Sequence, residues 1–427
     1  MANILKASSV DVLNTIRANA SSTYQERIPE ATRNNISKVG SAILNYEPAR
    51  NEFLDALMNR IGYVIVTSKL AKNPLRMFKK GMLDFGDTVE EIFVDIAKAQ
   101  HYDPKIAETE VFKRVKPNVS ALFHKLNRQD FYKVTISNDQ LQTAFLSNNG
   151  ITDLIARITD SLYSGDNYDE FLLTKELIKQ TGENGQFFVE PVSAITDEAS
   201  AKSFVTSVKS ASDMMEFMST QFNAANVLTS SSKDEQYLLI TPKYNAMIDV
   251  EVLASAFNMD KAEFMGHRVL VDNFNGLEDD GVVAVLVDKN YFMIWDVLQK
   301  FTEQYNAQGL YWNYFFHHWQ ILSTSLFGNA VAFTTTTPTV TALTVEPATV
   351  AKYVPGQSYQ FYAKATGTGL TPATSTWAIS GNTSDDTFIS PQGLLYVAKD
   401  EAGATITVTA TNNFNSEVSG TATVTKA

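Results

Sequence analysis

Near residue 334 the chain changes chemistry, and that break constrains its fold more than any motif does. Residues 1–333 carry 31 basic and 41 acidic side chains, whereas residues 334–427 carry only 4 and 6, together with 22 Thr. The switch falls at Thr334-Thr335-Thr336-Thr337-Pro338. A β-branched run closed by proline resists helix and reads as an extended linker. Two separate cores are therefore expected, residues 1–333 and residues 340–427, joined by a linker at 334–339. A length of 427 residues accommodates that division.

The tail reads as all-β. Alternating segments recur between turns: Val340 to Val345, Tyr359 to Ala363, Thr376 to Ile379, Gly393 to Val397, Thr405 to Ala410 and Thr421 to Val424. Six or seven short strands in about 90 residues is the size of an immunoglobulin-like sandwich.

The first 333 residues are mixed. Apolar residues at helical spacing mark Ser41 to Gly62, and Tyr63 to Val66 looks like a strand. Residues 73–137 are strand-like, polar and rich in loops. Asn149 to Thr181 is strongly helical, through Ile151, Leu154, Ile155, Ile158, Leu162, Phe171, Leu172, Leu177 and Ile178. Unbroken, that helix spans roughly 50 Å; the sequence leaves open whether Ser164-Gly165-Asp166 breaks or kinks it. Another helical stretch covers 198–222. Tyr237 to Thr241, Arg268 to Val271 and Val282 to Asp288 read as strands, with Pro242 placed where a first helical turn tolerates it. Tyr311 to Phe333 is aromatic-rich and β-like at its end.

Composition closes off several functions. The chain is 44% hydrophobic and 11% aromatic, which excludes global disorder. With no Cys, disulfide frameworks and thiol chemistry are absent. A net charge of -12 argues against wrapping nucleic acid, which needs clustered positive charge. Met1 to Arg17 lacks the apolar stretch of a signal peptide, and the longest apolar run, Val282 to Val287, falls far short of the ~20 residues of a membrane helix. A soluble protein made inside a cell, with no membrane partner, is expected.

The search for catalytic groups mostly fails. The five His are His101, His124, His267, His317 and His318, and none sits at a metal-ligand spacing. Neighbours in a strand point to opposite faces, so His317-His318 reads as one inward and one outward ring rather than a metal pair. Gly367-Thr368-Gly369 reads as a turn and Glu278-Asp279-Asp280-Gly281 as a solvated turn, not a calcium loop. Glu90-Glu91 and Asp95 lack a partner base. No catalytic, cofactor-binding or metal-ligating residue is expected, and no cofactor. One stretch is less ordinary: Lys72 to Gly81 is basic with apolar residues interleaved, and Asp84, Asp87, Glu90, Glu91 and Asp95 follow it. Alone it suits a nucleic-acid patch or a solvated face. Beside its acidic neighbour it suits charge pairing between copies, which makes Arg76, Lys79, Lys80, Glu90 and Glu91 candidate inter-subunit contacts.

Several stretches resemble the major capsid proteins of small short-tailed bacteriophages of the Bacillus phi-twenty-nine type. They are Asn73-Pro74-Leu75 with Phe78 to Gly81, Thr88 to Ile92, and Gln100 to Asp103; then Pro117-Asn118-Val119, Leu122-Phe123-His124 and Asn127 to Tyr132; then Ala254 to Met259 with Phe264 and Gly266; and finally Ala284 to Lys289, Gly309 to Tyr314 and Asn329 to Phe333. The tail resembles bacterial immunoglobulin-like group 2 domains through Val354 to Ser358, Trp377, Gly393-Leu394-Leu395 and Thr405 to Ala410.

The resemblance implies an α+β Hong Kong 97-like capsid fold followed by an all-β immunoglobulin-like sandwich. On that pattern residues 1–60 include an N-terminal arm, 73–137 form an extended loop over a neighbour, 138–195 and 300–333 form a peripheral domain with 149–181 as its spine helix, and 196–299 form an axial domain. It further implies a structural, non-enzymatic protein of the virion that assembles with itself into pentamers and hexamers in the host bacterial cytoplasm. Implied partners are a scaffolding protein, a portal protein and packaged double-stranded DNA held without specific binding. The tail domain would be displayed outside, with cell-wall carbohydrate or a head fibre as its partner. The competing reading is a phage or cell-surface protein that attaches to cell-wall carbohydrate through the tail domain.

Overall fold

The computed structural model describes residues 9–61, 73–83, 86, 88–97, 99, 119–146, 150–251, 267–309 and 311–426. The chain opens with helices α1 (Ser9–Asn19), α2 (Ser22–Arg27), α3 (Ile36–Leu44) and α4 (Glu47–Ile61). Strand β1 (Lys79–Met82) precedes a two-stranded antiparallel ribbon of β2 (Thr88–Val94) and β3 (Val119–Lys125), then β4 (Arg128–Ser137). Helices α5 (Asn138–Ala144) and α6 (Gly150–Glu183) follow, then β5 (Phe188–Pro191), α7 (Glu198–Met215), β6 (Gln236–Ile240) and α8 (Pro242–Glu251). Strands β7 (Arg268–Leu270), β8 (Val282–Asp288), β9 (Phe292–Asn306), β10 (Tyr311–Thr324) and β11 (Ala330–Thr334) complete this part.

Helix α6 runs 34 residues without interruption, about 51 Å at 1.5 Å per residue. Ser164-Gly165-Asp166 neither breaks nor ends it. Gly165 lies against the Tyr132 ring, and Asp166 faces inward with charged partners, so tertiary contacts hold a segment that reads locally as a breaker. Two further elements differ from the expected ones. The helical stretch expected over 41–62 falls on two helices, α3 ending at Leu44 and α4 restarting at Glu47, where Pro48 sits in a first turn that has no need of its N–H; Gly62 lies outside the described residues. The helix expected over 198–222 stops at Met215. The strand expected at Tyr63 to Val66 and the motifs at 100–103 and 254–266 lie outside the described residues, as do Asp84 and Asp87.

One sheet has the order β1-β9-β10-β4. Its central strand, β10, pairs antiparallel with β9 from Tyr311–Asn306 to Thr324–Phe292, and with β4 from Tyr311–Ser137 to Gln320–Arg128. Period-two alternation sends Trp312, Tyr314, Phe316, His318 and Gln320 inward and leaves Phe315, His317 and Trp319 half-buried. Against the inward aromatic residues pack α6 (Ile158, Leu162) and the N-terminal helices (Val12, Ile16, Phe53, Leu54). The second sheet has the order β5-β11-β8-β6-β7. All seven residues of β8 are buried, as its continuous apolar run requires of a strand covered on both faces. Val285 and Val287 join Ile178, Phe187 and Leu239 on one side. Ala284 and Leu286 join Phe204, Val208 and Phe333 on the other.

The tail folds as strands β12 (Thr339–Glu346), β13 (Thr349–Tyr353), β14 (Ser358–Gln360), β15 (Tyr362–Thr368), β16 (Ser375–Ser380), β17 (Phe388–Ile389), β18 (Leu394–Tyr396), β19 (Thr405–Asn412) and β20 (Ser419–Lys426). They form sheets β13-β20-β19-β16, β12-β15 and β14-β18-β17 around Leu343, Val345, Phe361, Leu395, Ile406, Val408 and Val424. The tail is not a bead on a string. Leu370 leaves that core and is buried beside Leu277 and Ile178 in the second sheet's cluster. Ala373 N donates to Gly185 O at 2.9 Å and Asn226 Nδ2 to Ser375 O at 2.9 Å. Gly185 has φ +64, and a Cβ there would lie 2.4 Å from Ala373 N, so glycine is required for this docking.

Candidate functional site

Where α6 crosses the first sheet, apolar packing gives way to a buried network of charges. On α6, Asp166 and Glu170 are one turn apart and so share a face. On β10, His318 and Gln320 are two residues apart and both point inward. A register shift in the β9–β10 pairing places Asp296, not Val297, opposite Gln320. Strand β4 contributes Arg128 and Tyr132, and β1 contributes Lys79.

The contacts are short and reciprocal. His318 Nδ1 lies 2.6 Å from Asp166 Oδ1, and its Nε2 2.9 Å from Asp296 Oδ1. Lys79 Nζ pairs with Asp296 Oδ2 at 2.9 Å and Glu170 Oε2 at 3.1 Å. Gln320 Nε2 donates to Glu170 at 2.6 Å and to Asp296 at 2.8 Å. Arg128 Nη2 donates to Asp166 at 3.0 Å and to the Tyr132 hydroxyl at 2.7 Å, while Nη1 donates to Gln320. Asn73 closes the group on Glu170 at 2.9 Å.

Electrostatics favours the ionised forms. Burial opposes the charge on His318, but hydrogen bonds to Asp166 and Asp296 outweigh it and raise its pKa. Burial likewise works against Asp296, yet the donors His318 and Gln320 and the Lys79 charge hold it at about 2. Lys79 is also raised: its two carboxylate partners overcome desolvation. With His318 protonated, three cations face the buried carboxylates Asp166, Glu170 and Asp296: Arg128 and His318 are buried and Lys79 is half-buried, and Arg128 also pairs with the exposed Asp130 at 2.8 Å. Buried charges survive only when matched in this way.

Glu170, Asp296 and His318 each offer a ligand atom within 4.8 Å of one another. The Lys79 ammonium already stands against both carboxylates, so the cation of this group is supplied by the chain itself. A similar substitution occurs at the acidic turn: Lys175 Nζ binds Asp272 at 2.9 and 3.0 Å and Asn273 at 3.0 Å, while Glu278 accepts from the backbone of Phe274 and Gly276.

The β2–β3 ribbon is two-faced. Its inner face is fastened to the chain: Phe93 stacks on Phe327 at 5.3 Å, and Glu91 accepts from Ser325 at 2.7 Å and contacts His124 at 3.1 Å. Its outer face carries Ile92, Val94, Val119 and Phe123, which are 58, 54, 54 and 61% exposed. Alternate residues of paired strands share one side, so these four form one continuous apolar surface.

The five residues expected at contacts between copies fall into two groups. Lys79 belongs to the buried network; Lys80 Nζ donates to Lys289 O at 2.8 Å and Asn290 Oδ1 at 2.7 Å; Glu91 is held by Ser325 and His124. Arg76 and Glu90 are exposed, Glu90 on the apolar outer side of the ribbon. Sequence reading found the inward and outward histidines of β10 but not their partners. The available signal was polar residues at alternate, inward positions of an otherwise apolar strand.

A family model for Phi29-like phage major capsid protein matches residues 13–334. The major capsid protein of Bacillus phage B103 is 40% identical over 408 residues, covering 94% of this chain and 90% of that protein. That of Bacillus phage PZA is 36% identical, covering 96% and 91%. Among solved structures, a chain of the capsid structure of Staphylococcus phage Andhra superposes with a TM-score of 0.52 at 15% identity, covering 64% of this chain and 86% of that one. A chain from the structure of head fiber and inner core protein gp22 of native bacteriophage P68 gives 0.51 at 14% identity, covering 64% and 87%.

Proposed function

The chain belongs to the Phi29-like phage major capsid proteins; from that premise we propose how its parts serve a shell. It is a structural protein of the capsid, with an α+β capsid fold, and not an enzyme. Our reading assigns that fold to the Hong Kong 97 type. Residues 1–60 would include the N-terminal arm, 73–137 the extended loop, 138–195 and 300–333 the peripheral domain, and 196–299 the axial domain. Residues 340–427 would be an immunoglobulin-like unit displayed outward. Subunits would close into pentamers and hexamers, with a scaffolding protein and portal as assembly partners and DNA enclosed without specific binding.

One observation carries the assembly reading: the outer face of the β2–β3 ribbon. Four large apolar side chains on an extended two-stranded element are costly to leave in water, and such surfaces mark protein contacts. A second copy of the chain would cover them, with Arg76 and Glu90 contributing polar contacts at the same boundary. The buried network would set the direction in which the ribbon leaves the sheet, since β4 continues directly from β3.

The test is the double substitution Ile92→Glu, Phe123→Glu. Both side chains face solvent in the single chain, so circular dichroism and the melting midpoint should stay within error of the parent. Shell yield by sedimentation and electron microscopy should fall at least tenfold. Normal shells from this variant would refute the ribbon as the contact surface.

A further inference from the structure

Where α4 meets the far end of the β9–β10 pair, several buried polar atoms lack a partner. Glu303 Oε2, Tyr314 Oη and Asn51 Oδ1 are shielded from solvent without a hydrogen bond. Tyr314 is completely buried and stands directly opposite Glu303 in the strand register, so both project from the same side of the sheet. Asn51 and Asp55 are one turn apart on α4 and share a face. The Asp55 carboxylate lies within hydrogen-bonding reach of the Glu303 carboxyl group.

Among the described residues, neither carboxylate has a cation within ion-pairing distance. Arg50, on the same helix, stacks 5.3 Å from the Tyr305 ring and pairs with Glu47. Burial, then the hydrogen bond and charge of Asp55, push Glu303 up to about 8. The same two carboxylates act on the Tyr314 hydroxyl. Two facing acids without a counter-charge must share a proton or take up a cation.

We propose that Asp55, Glu303, Asn51 and the Tyr314 hydroxyl form a site for one hard divalent cation of the calcium or magnesium type, fastening helix α4 to the β9–β10 pair. The donor set is all oxygen, as such ions require. Asp55 is exposed and gives a route of entry. The unpartnered N–H groups of Arg50 and Trp312 on the same elements need water, which these ions retain among their ligands.

Terbium is a suitable probe of the full-length chain, because Tyr314 and Trp312 lie close enough to sensitise its emission. Saturable emission at one ion per chain is expected, displaced by calcium. Glu303→Gln and, separately, Asp55→Asn should each lower affinity at least tenfold. Asp272→Asn, in the other oxygen-rich loop, should leave it unchanged. Removing a charge from a facing acid pair does not threaten folding, so loss of emission with an unchanged melt reports the site. Equal emission from Glu303→Gln and the parent, or none from either, would overturn the proposal and leave a proton-sharing pair. The measurement is made on the chain itself and stands apart from whether the ribbon mediates assembly.

Discussion

His318 is the residue on which the central network turns. Its proton gives Asp166 and Asp296 a buried positive partner, and without it that charge is lost beside two carboxylates that are themselves buried. Because folding raises its pKa above the ordinary 6.5, the stabilisation is fully present below that pH and is lost as pH rises through the folded value. The melting midpoint of the chain should therefore decline on the alkaline side of pH 6.5. In His318→Gln that part of the decline should vanish, and the baseline should drop by about 3–5 kcal/mol, the usual cost of deleting one partner from a buried ion pair. A parallel pH slope in the variant would show that another group titrates. The same residue illustrates what sequence can reveal. Alternation placed His317 and His318 on opposite faces of their strand, and the structure shows His318 to be the inward one. The pattern could not supply Asp166 and Asp296, which lie 152 and 22 positions away and meet the imidazole only through the packing of α6 and β9 on β10.

At the scale of elements, long periodic segments were legible and interruptions were not. Helix α6, the buried strand at 282–288 and the strand at 236–240 follow their apolar patterns. Ser164-Gly165-Asp166 could not be resolved locally, because the answer lies in what α6 packs against. Gly165 is helical and has ordinary room: a Cβ there would lie 3.5 Å from the Tyr132 ring. Gly165→Ala should therefore raise stability by about 0.5–1 kcal/mol, the helix-propensity difference, as read by chemical denaturation. Destabilisation would mean that the Tyr132 ring cannot accept the added methyl. Strand β9 was not singled out from sequence, because beyond Asp296 charged and polar residues break its apolar run. Its register to β10, including the shift that presents Asp296, is set by tertiary pairing rather than by local pattern.

At the scale of the whole molecule, the described residues after the composition break at residue 334 hold only strands, β12 to β20, but composition could not show how closely they are joined to what precedes them. Leu370 is the clearest instance: a tail residue that is 2% exposed in the core of the preceding sheet. Leu370→Ala should cost about 2–5 kcal/mol at that seam. Limited proteolysis should then cut faster within 334–339 while amide protection of β19 and β20 stays unchanged. Loss of protection in both parts together would show a single cooperative unit. The pairing of β10 on both flanks has a mechanical consequence. A pull along the strand axis must shear its bonds to β9 and β4 simultaneously, whereas a pull across the strands opens them one after another, like a zip. The subunit therefore has a grain: it resists extension far better along these strands than across them.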